Sequence, residues 1–178
     1  MATVNDIYAF LNEIAPVRYQ MDFDNAGFLV GDGGTAVKKT LLALDITDDV
    51  IAEAVELRAQ LIVSHHPLIF TPLRHATTDD LAGRKVLVLA RHGISAICMH
   101  TNLDAADGGV NDCLAKKLGL NDVFLLNDEK IGRIGTLSCE KGLEEFLRDV
   151  IESLSCSGLR YRRGSGRVHL SLIHISEP

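Results

Sequence analysis

The sequence lacks the marks of several large protein classes. No apolar run reaches the roughly 18 residues that a membrane-spanning helix needs, so we expect no membrane partner. The first residues, Met1 to Asp6, do not show the basic and then apolar order of a signal peptide. The formal net charge of −6 at pH 7 is unfavourable near the nucleic acid backbone, so no strong nucleic-acid binding is expected.

Cysteine is scarce, and the four cysteines form no C-x-x-C pair. This pattern favours a reducing, cytoplasmic location in which the thiols act as small core residues. The four are Cys98, Cys113, Cys139 and Cys156.

The sequence also has no internal repeat and no P-loop, G-x-G-x-x-G or G-x-S-x-G motif. Apolar strands and helices alternate along its 178 residues, which suffice for one or two small domains. This alternation predicts an α/β fold with a parallel or mixed sheet flanked by helices. Strands are predicted over 40–46 (buried), 61–63, 94–99 and 133–138, with a weaker pattern over 159–163. Helices are predicted after the capping residues Thr3, Thr47 and 78–80, before Gly119, and over 143–154, with loops at 65–77 and 100–109.

Two predicted strands end directly in residues of the types that bind metals. Leu61–Ser64 is followed by His65 and His66, and the next apolar strand is followed by His100 and Asp104. Sites in open parallel sheets form at the carboxyl ends of strands, so we expect these two ends to lie side by side. Imidazole plus carboxylate suits zinc, iron, manganese, nickel or cobalt, and the sequence does not choose among them.

Adjacent histidines have a geometric constraint. On a regular strand their side chains point to opposite faces, so His65 and His66 could not share one ion there. Beyond the strand end the chain can turn, and each histidine could then serve a different metal of a pair, with Asp104 bridging the two. The alternative is that the histidines cap strand ends and that Asp104 caps the turn at Asp107 and Gly108.

Other polar residues have simpler interpretations. Asp45 could approach the site, but a role in the turn before its helix is favoured. Asp24 and Asn25 precede a glycine and are predicted to form a turn. His75 lies in a predicted loop, and His92 suits the negative end of its helix. A basic cluster near the C-terminus is predicted to be a solvated face, with an anion site as the alternative. It comprises Arg160, Arg162, Arg163 and Arg167.

Four segments resemble the NIF3-like family of dinuclear metal-centre proteins. Residues 24–31 resemble the family's D-N-x-G-L-x-V-G, and residues 61–70 resemble its L-I-x-x-H-H-P-L-I-F. Residues 100–104 match its H-T-x-x-D, and residues 132–135 resemble its G-R-I-G. The resemblance runs from the N-terminus to about Val168, and the two histidine motifs are specific in combination.

The resemblance implies a NIF3-like fold, in which two related α/β domains face a cleft that holds two metal ions. It implies an N-terminal domain over 1–127 and an incomplete second domain, of which residues 128–169 form the first part. His65, His66 and Asp104 match metal ligands, and His100 matches a site residue that we interpret as a catalytic proton carrier. Family members assemble as hexameric rings, so the expected partners are further copies of the chain and a small-molecule substrate.

The C-terminal residues depart from the family pattern. Past Val168 the family continues into a strand, a Gly-Gly-Ser-Gly loop and, later, a His and a Glu that supply two more ligands. Residues 170–178 instead resemble the translated end of a transposase-based sequencing adapter, and our hypothesis is that they are an artefact, with a natural tail as the alternative. His174 and Glu177 are not taken as replacement ligands, so the metals would be under-coordinated and we expect weak metal binding. The strands that would close the second domain are also missing, so we expect poor folding.

Two functions follow as hypotheses. The first is a metal-dependent hydrolase that resembles GTP cyclohydrolase 1 type 2 homologues or a phosphoesterase, since a metal-bound water becomes a nucleophile near neutral pH. The second is a non-catalytic, metal-binding hexameric scaffold or regulatory protein.

Overall fold

The computed structural model describes residues 1–128, 130–162 and 168–173. It divides into two compact units, Met1–Leu103 and Asp104–Pro178, which are described separately. The domain boundary at residue 127 remains a prediction. In the described part of the chain no helix combines the length and the apolar character needed to cross a bilayer.

The first unit is a four-stranded mixed sheet with helices, which confirms the predicted α/β class. Strands β2, β3 and β4 are parallel, β1 pairs antiparallel with β4, and the spatial order is β1-β4-β3-β2. The strands are β1 (Gly27–Val30), β2 (Thr40–Ala43), β3 (Leu61–Ser64) and β4 (Ser95–Cys98). The helices are α1 (Val4–Ile14), α2 (Asp48–Glu56) and α3 (Leu81–His92), with a short 3-10 turn at Val17–Tyr19.

Local capping signals begin and end these helices as the sequence predicts. The Thr3 hydroxyl accepts from the Asp6 amide at 3.2 Å, and the Asp6 carboxylate accepts from the Thr3 amide at 2.8 Å. Thr47 caps α2, and the Asp80 carboxylate accepts from the Gly83 amide at 2.6 Å at the start of α3. These caps fix where each crossover helix leaves the sheet, and hence which residues remain at the strand ends.

The core of the first unit lies around the two central strands. All of β4 and most of β3 are buried, as expected for strands covered on both faces. Leu89 of α3 and Ile51 of α2 pack into the same apolar cluster as Ile62 and Ala96. The rigid centre of the sheet therefore lies directly behind the residues that follow β3 and β4.

The prediction of a buried strand over 40–46 is wrong in both extent and burial. Strand β2 ends at Ala43 and lies at the edge of the sheet, paired with β3 on one side. The side chains of Leu42 and Leu44 are consequently 75% and 61% exposed. An apolar run shows that a strand forms but not where it lies in the strand order.

The second unit is a three-stranded antiparallel sheet of order β5-β6-β7 with helices. The strands are β5 (Asn121–Leu125), β6 (Arg133–Lys141) and β7 (Val168–Ile173). The helices α5 (Val110–Lys117) and α6 (Leu143–Leu154) follow the short helix α4 (Thr101–Ala105), within which the chain passes from the first unit to the second.

Several details of the second unit differ from prediction. The segment 100–109 contains helix α4 instead of being only a loop, and the sequence reading missed β5. Residues 159–162 form no strand, and Arg160 and Arg162 are exposed. Arg163 and Arg167 of the basic cluster, and also His174 and Glu177, lie outside the described residues.

The cysteines do not all lie in the core. Cys98 is buried within β4, as predicted, but Cys113 and Cys139 are exposed and Cys156 is half-buried. The prediction of buried thiols is therefore wrong for Cys113 and Cys139, because Cys139 lies past the buried part of β6 and Cys113 lies on an open face of α5.

Candidate metal centre

His65 and His66 are positioned by backbone pairing that continues past the end of β3. The His65 amide donates to the carbonyl of Ala43 at 3.2 Å, and the His66 amide donates to the carbonyl of Leu44 at 2.9 Å. The chain beyond β3 thus stays attached to the chain beyond β2. The two imidazole centroids lie 5.1 Å apart, which shows that the side chains converge once the regular strand ends.

His100 follows β4 and joins the same cluster. Its ring centroid lies 5.3 Å from that of His65 and 5.8 Å from that of His66, and the residue is only 1% exposed. The His100 amide donates to the side-chain oxygen of Asn102 at 2.8 Å, and the buried Asn102 amide group donates to the carbonyl of Ala15 at 2.7 Å. The adjacent strand ends therefore lie side by side, as the sequence predicts.

The three histidines can hold a metal ion. One ring nitrogen of each lies within 4.8 Å of those of the other two. A zinc–nitrogen bond is about 2.0–2.1 Å long, so nitrogens at this spacing need only small side-chain adjustments to share an ion or to flank a pair of ions. The donor chemistry, three imidazoles, suits the borderline-soft divalent metals.

Each of these imidazoles is oriented by an acceptor at Nδ1. The Nδ1 of His65 lies 2.9 Å from the carbonyl oxygen of Met99. The Nδ1 of His66 lies 2.7 Å from the Asp45 carboxylate, and that of His100 lies 2.7 Å from the Asp24 carboxylate.

These contacts select the tautomer of each histidine. A carbonyl oxygen or an ionised carboxylate can only accept, so Nδ1 carries the proton in all three rings. The Nε2 atom then carries the lone pair that can bind a metal, and this is the usual arrangement of histidine ligands.

Asp24 is the most enclosed of these acceptors, with a side chain that is 0% exposed. Its carboxylate accepts from His100, from the Asn25 amide at 2.6 Å, and from both the amide and the hydroxyl of Thr101. Burial alone would raise the pKa of Asp24, but the hydrogen bonds from His100, Thr101 and Asn25 outweigh it and lower the pKa. The carboxylate therefore stays ionised and keeps accepting from His100.

Two interpretations from the sequence need correction. Asp24 was expected to be a turn former and Asp45 was expected to serve a turn, yet the carboxylates contact His100 and His66. The sequence does not predict the contact of Asp24 and offers that of Asp45 only as the less favoured alternative, because 76 and 21 residues separate the partners in the chain. The one available signal was that Asp24 opens a family-like motif and that Asp45 follows a strand.

Asp104, the predicted bridging carboxylate, belongs to the second unit. It is buried in α4, and its backbone carbonyl accepts from the Asn111 side chain at 3.0 Å. The Gly108 amide of the neighbouring turn donates to Asp112 at 2.6 Å, so Asp112 serves the turn that was the alternative role for Asp104. The assignment of Asp104 as a metal ligand stays a prediction. His75 and His92 are exposed, and His92 lies in the last turn of α3 as predicted.

Known proteins are similar to this chain in sequence and in fold. The profile of the Duf34/NIF3 (NGG1p interacting factor 3) family matches residues 2–171. The chain is 40% identical over 164 residues to a GTP cyclohydrolase 1 type 2 homolog of Clostridium perfringens. The aligned segment covers 89% of this chain and 63% of that protein. A hypothetical protein of Staphylococcus aureus superimposes with a TM-score of 0.87 at 26% identity, over 97% of this chain and 71% of that one.

Reduced HcgD from Methanocaldococcus jannaschii has a TM-score of 0.76 at 32% identity, over 84% of this chain and 59% of that one. The chain thus spans a little under two thirds of the length of the Clostridium relative. These likenesses confirm the predicted NIF3-like fold. On its sequence and its structure, the chain belongs to the Duf34/NIF3 family.

Proposed function

We propose that the family-length protein is a metal-dependent hydrolase with two divalent ions, and that this chain supplies the histidine part of the centre. The observation that carries the proposal is the cluster of His65, His66 and His100, each oriented through Nδ1 with its ligand atom within 4.8 Å of the others. Asp104 is the proposed bridging carboxylate. When bound, such ions polarise substrate oxygens and make a bound water nucleophilic near neutral pH.

The residues of this chain bind and orient within that centre. His65 and His66 are anchored by the sheet edge, so their separation is set by backbone pairing between the β2 and β3 ends. Asp24 and Asp45 hold two of the rings in one tautomer and increase the basicity of the donor nitrogens. The names of the relatives, GTP cyclohydrolase 1 type 2 homologs, favour a phosphorylated purine or another phosphate ester as the substrate.

His100 has two proposed roles that one substitution separates. As a metal ligand it donates an Nε2 lone pair, whereas as a proton carrier it must titrate during turnover. The substitution H100Q abolishes metal retention in the first case. In the second case it leaves the metal in place and removes one limb of the pH–rate profile. The geometry favours the ligand role, because one ring nitrogen of His100 lies within 4.8 Å of a ring nitrogen of His65 and of His66.

We also propose that the protein assembles from copies of itself, with a hexamer expected for the family-length chain. Exposed apolar side chains on the first unit support this, among them Phe10 and Ile14 on one helix and Leu42 on the edge strand. A non-catalytic metal-binding scaffold is the alternative function, and the same assay distinguishes it.

The test combines metal analysis with product assays. We expect H65A, H66A and H100A each to lower metal affinity by about tenfold or more, while H75A and H92A, at exposed positions, leave it unchanged. Metal-loaded, family-length protein is then assayed for release of formate or phosphate from GTP. Tight metal binding with no product would favour the scaffold. Absence of metal from both this chain and the family-length protein would refute the proposal.

A further inference from the structure

Two phenylalanines stand exposed beside the histidine cluster. Phe23 is 56% exposed and Phe70 is 48% exposed, with ring centroids 6.4 Å apart and planes inclined by 59°. The Phe70 ring also packs edge-on against His100, at 6.3 Å and 87°. The two rings therefore form an aromatic wall that continues directly from the candidate metal centre.

Single exposed apolar side chains are common, whereas two exposed aromatic rings in contact form a contiguous apolar patch. A phenylalanine side chain buries a large apolar area when a ligand covers it, and contiguous exposed apolar patches mark ligand or partner sites. Phe23 immediately precedes Asp24, and Phe70 shares its loop with His65 and His66, so the elements that fix the histidines also hold both rings. Asn25 adds a tie, because its side chain donates to the carbonyl of Ile69 at 2.6 Å.

A cavity of about 570 Å³ opens from Phe70 along the loop before α3. Pockets for small organic molecules measure about 300–1,000 Å³, so this one has the size for a ligand such as a nucleotide. Its lining includes Pro67, Leu68, Phe70, Arg74 and Asp79. Arg74 is exposed and, among the residues that the structure describes, makes no ion pair or hydrogen bond, so its guanidinium is available to an anionic group.

We propose that Phe23, Phe70 and Arg74 form a ligand pocket next to the metal centre for a molecule that joins a planar ring to an anionic group. The ring stacks on the phenylalanine wall, and Arg74 pairs with the anion. This inference rests on the proposed function, because it names the class of substrate that the centre would receive. The carboxylate of Asp79 in the lining disfavours a second negative group at its end of the cavity.

The test uses three probes on the chain itself, with and without zinc, by calorimetric titration. GTP carries both ring and anion, guanosine carries only the ring, and tripolyphosphate carries only the anion. We expect F70L to weaken GTP and guanosine binding by about tenfold, the order expected for a lost base–aromatic stack. F70Y keeps an aromatic ring at this position and should retain the binding of both. The substitution R74Q should weaken the binding of GTP and of tripolyphosphate but not that of guanosine.

Controls separate this inference from the proposed function. F124L, at an exposed phenylalanine of β5, should leave all three titrations unchanged. Metal content is measured for every variant and for the family-length protein. Absence of metal from both the unaltered chain and the family-length protein counts against the proposed function, whereas F70L that binds GTP like the unaltered chain overturns the pocket. A variant that changes sedimentation instead of ligand affinity would assign the wall to a contact between copies, and this also overturns it.

Discussion

At the scale of the residue, the contact between Asp24 and His100 fixes both the orientation and the tautomer of the most buried histidine of the cluster. The acceptor is enclosed and receives hydrogen bonds from three residues, so it cannot rotate away from the imidazole without losing several partners at once. Its negative charge also fixes which ring nitrogen holds the proton. A substitution that keeps the shape but reverses the hydrogen-bond polarity therefore isolates the electronic role.

The substitution D24N is expected to shift the His100 proton from Nδ1 to Nε2, because the new side-chain amide can donate to Nδ1. The Nε2 lone pair is then lost, and we expect metal affinity to fall by about 10–100-fold, the range for outer-shell partners of ligating histidines. Nitrogen chemical shifts of His100 report the tautomer directly, and calorimetry reports the affinity.

Two matched variants bound this result. D22N changes an exposed aspartate two residues away and should alter neither readout. D45N should act in the same direction on His66 but less strongly, because Asp45 is 53% exposed and water can replace it. An unchanged tautomer in D24N would remove Asp24 from its orienting role.

At the scale of the element, the sequence predicts what is local and misses what depends on pairing. The apolar runs of β3 and β4 and the end of α3 at Gly93 follow from residue types and spacing. Helix α6 matches its predicted bounds, 143–154. The exposure of β2 and the contact of Asp24 with His100 could not be predicted, because each depends on which distant segment lies alongside.

The edge strand β2 leads to a prediction about association. L42K places a charge on a side chain that is already solvent-exposed, so the free energy of unfolding should change by less than about 0.5 kcal/mol. Charge on an open edge disfavours strand addition, so the sedimentation coefficient at high concentration should fall. L57K, at an exposed position just past α2, is the control and should not change association. Equal self-association of both variants would show that β2 takes no part in it.

A partly buried ion pair links α5 to β6 within the second unit. Arg133 is only 2% exposed, and its guanidinium meets the Asp112 carboxylate at 2.5 and 3.1 Å. Burial would raise the pKa of Asp112, but hydrogen bonds from Arg133 and the Gly108 amide outweigh it and lower the pKa. The pair therefore stabilises the fold at neutral pH, where the carboxylate is ionised.

The pH dependence has a definite sign. Since the pKa of Asp112 is lower in the folded state, its contribution is complete above the unfolded value of about 3.9 and is lost as the pH falls through the folded value. D112N should cost about 2–3 kcal/mol at pH 7, and its unfolding free energy should depend less steeply on pH below about 4. Denaturant titrations between pH 7 and 2.5 measure both, and parallel curves for the two proteins would contradict the assignment.

At the scale of the whole molecule, the relevant comparison is between this chain and a family-length one. The chain covers 63% of the Clostridium relative, and three histidines are the only clustered ligands among the described residues. Catalytic zinc usually takes three protein ligands for a single ion, so two ions need more donors. We expect a family-length protein to retain about two ions and this chain to retain fewer, more weakly, as measured by metal analysis after dialysis. Equal retention by both would show that the described cluster and Asp104 suffice.

The Nδ1 acceptors come from three separate places: Asp24 just before β1, Asp45 just after β2, and Met99 just after β4. His65 and His66 themselves follow β3, so the environment of a bound ion depends on the alignment of all four strands at once. Any process that shifts one strand by a residue, or frees an edge, also alters the coordination environment. A spectroscopically active metal such as cobalt would consequently act as a built-in reporter of sheet register, and a chelator would act as a mild denaturant of the first unit.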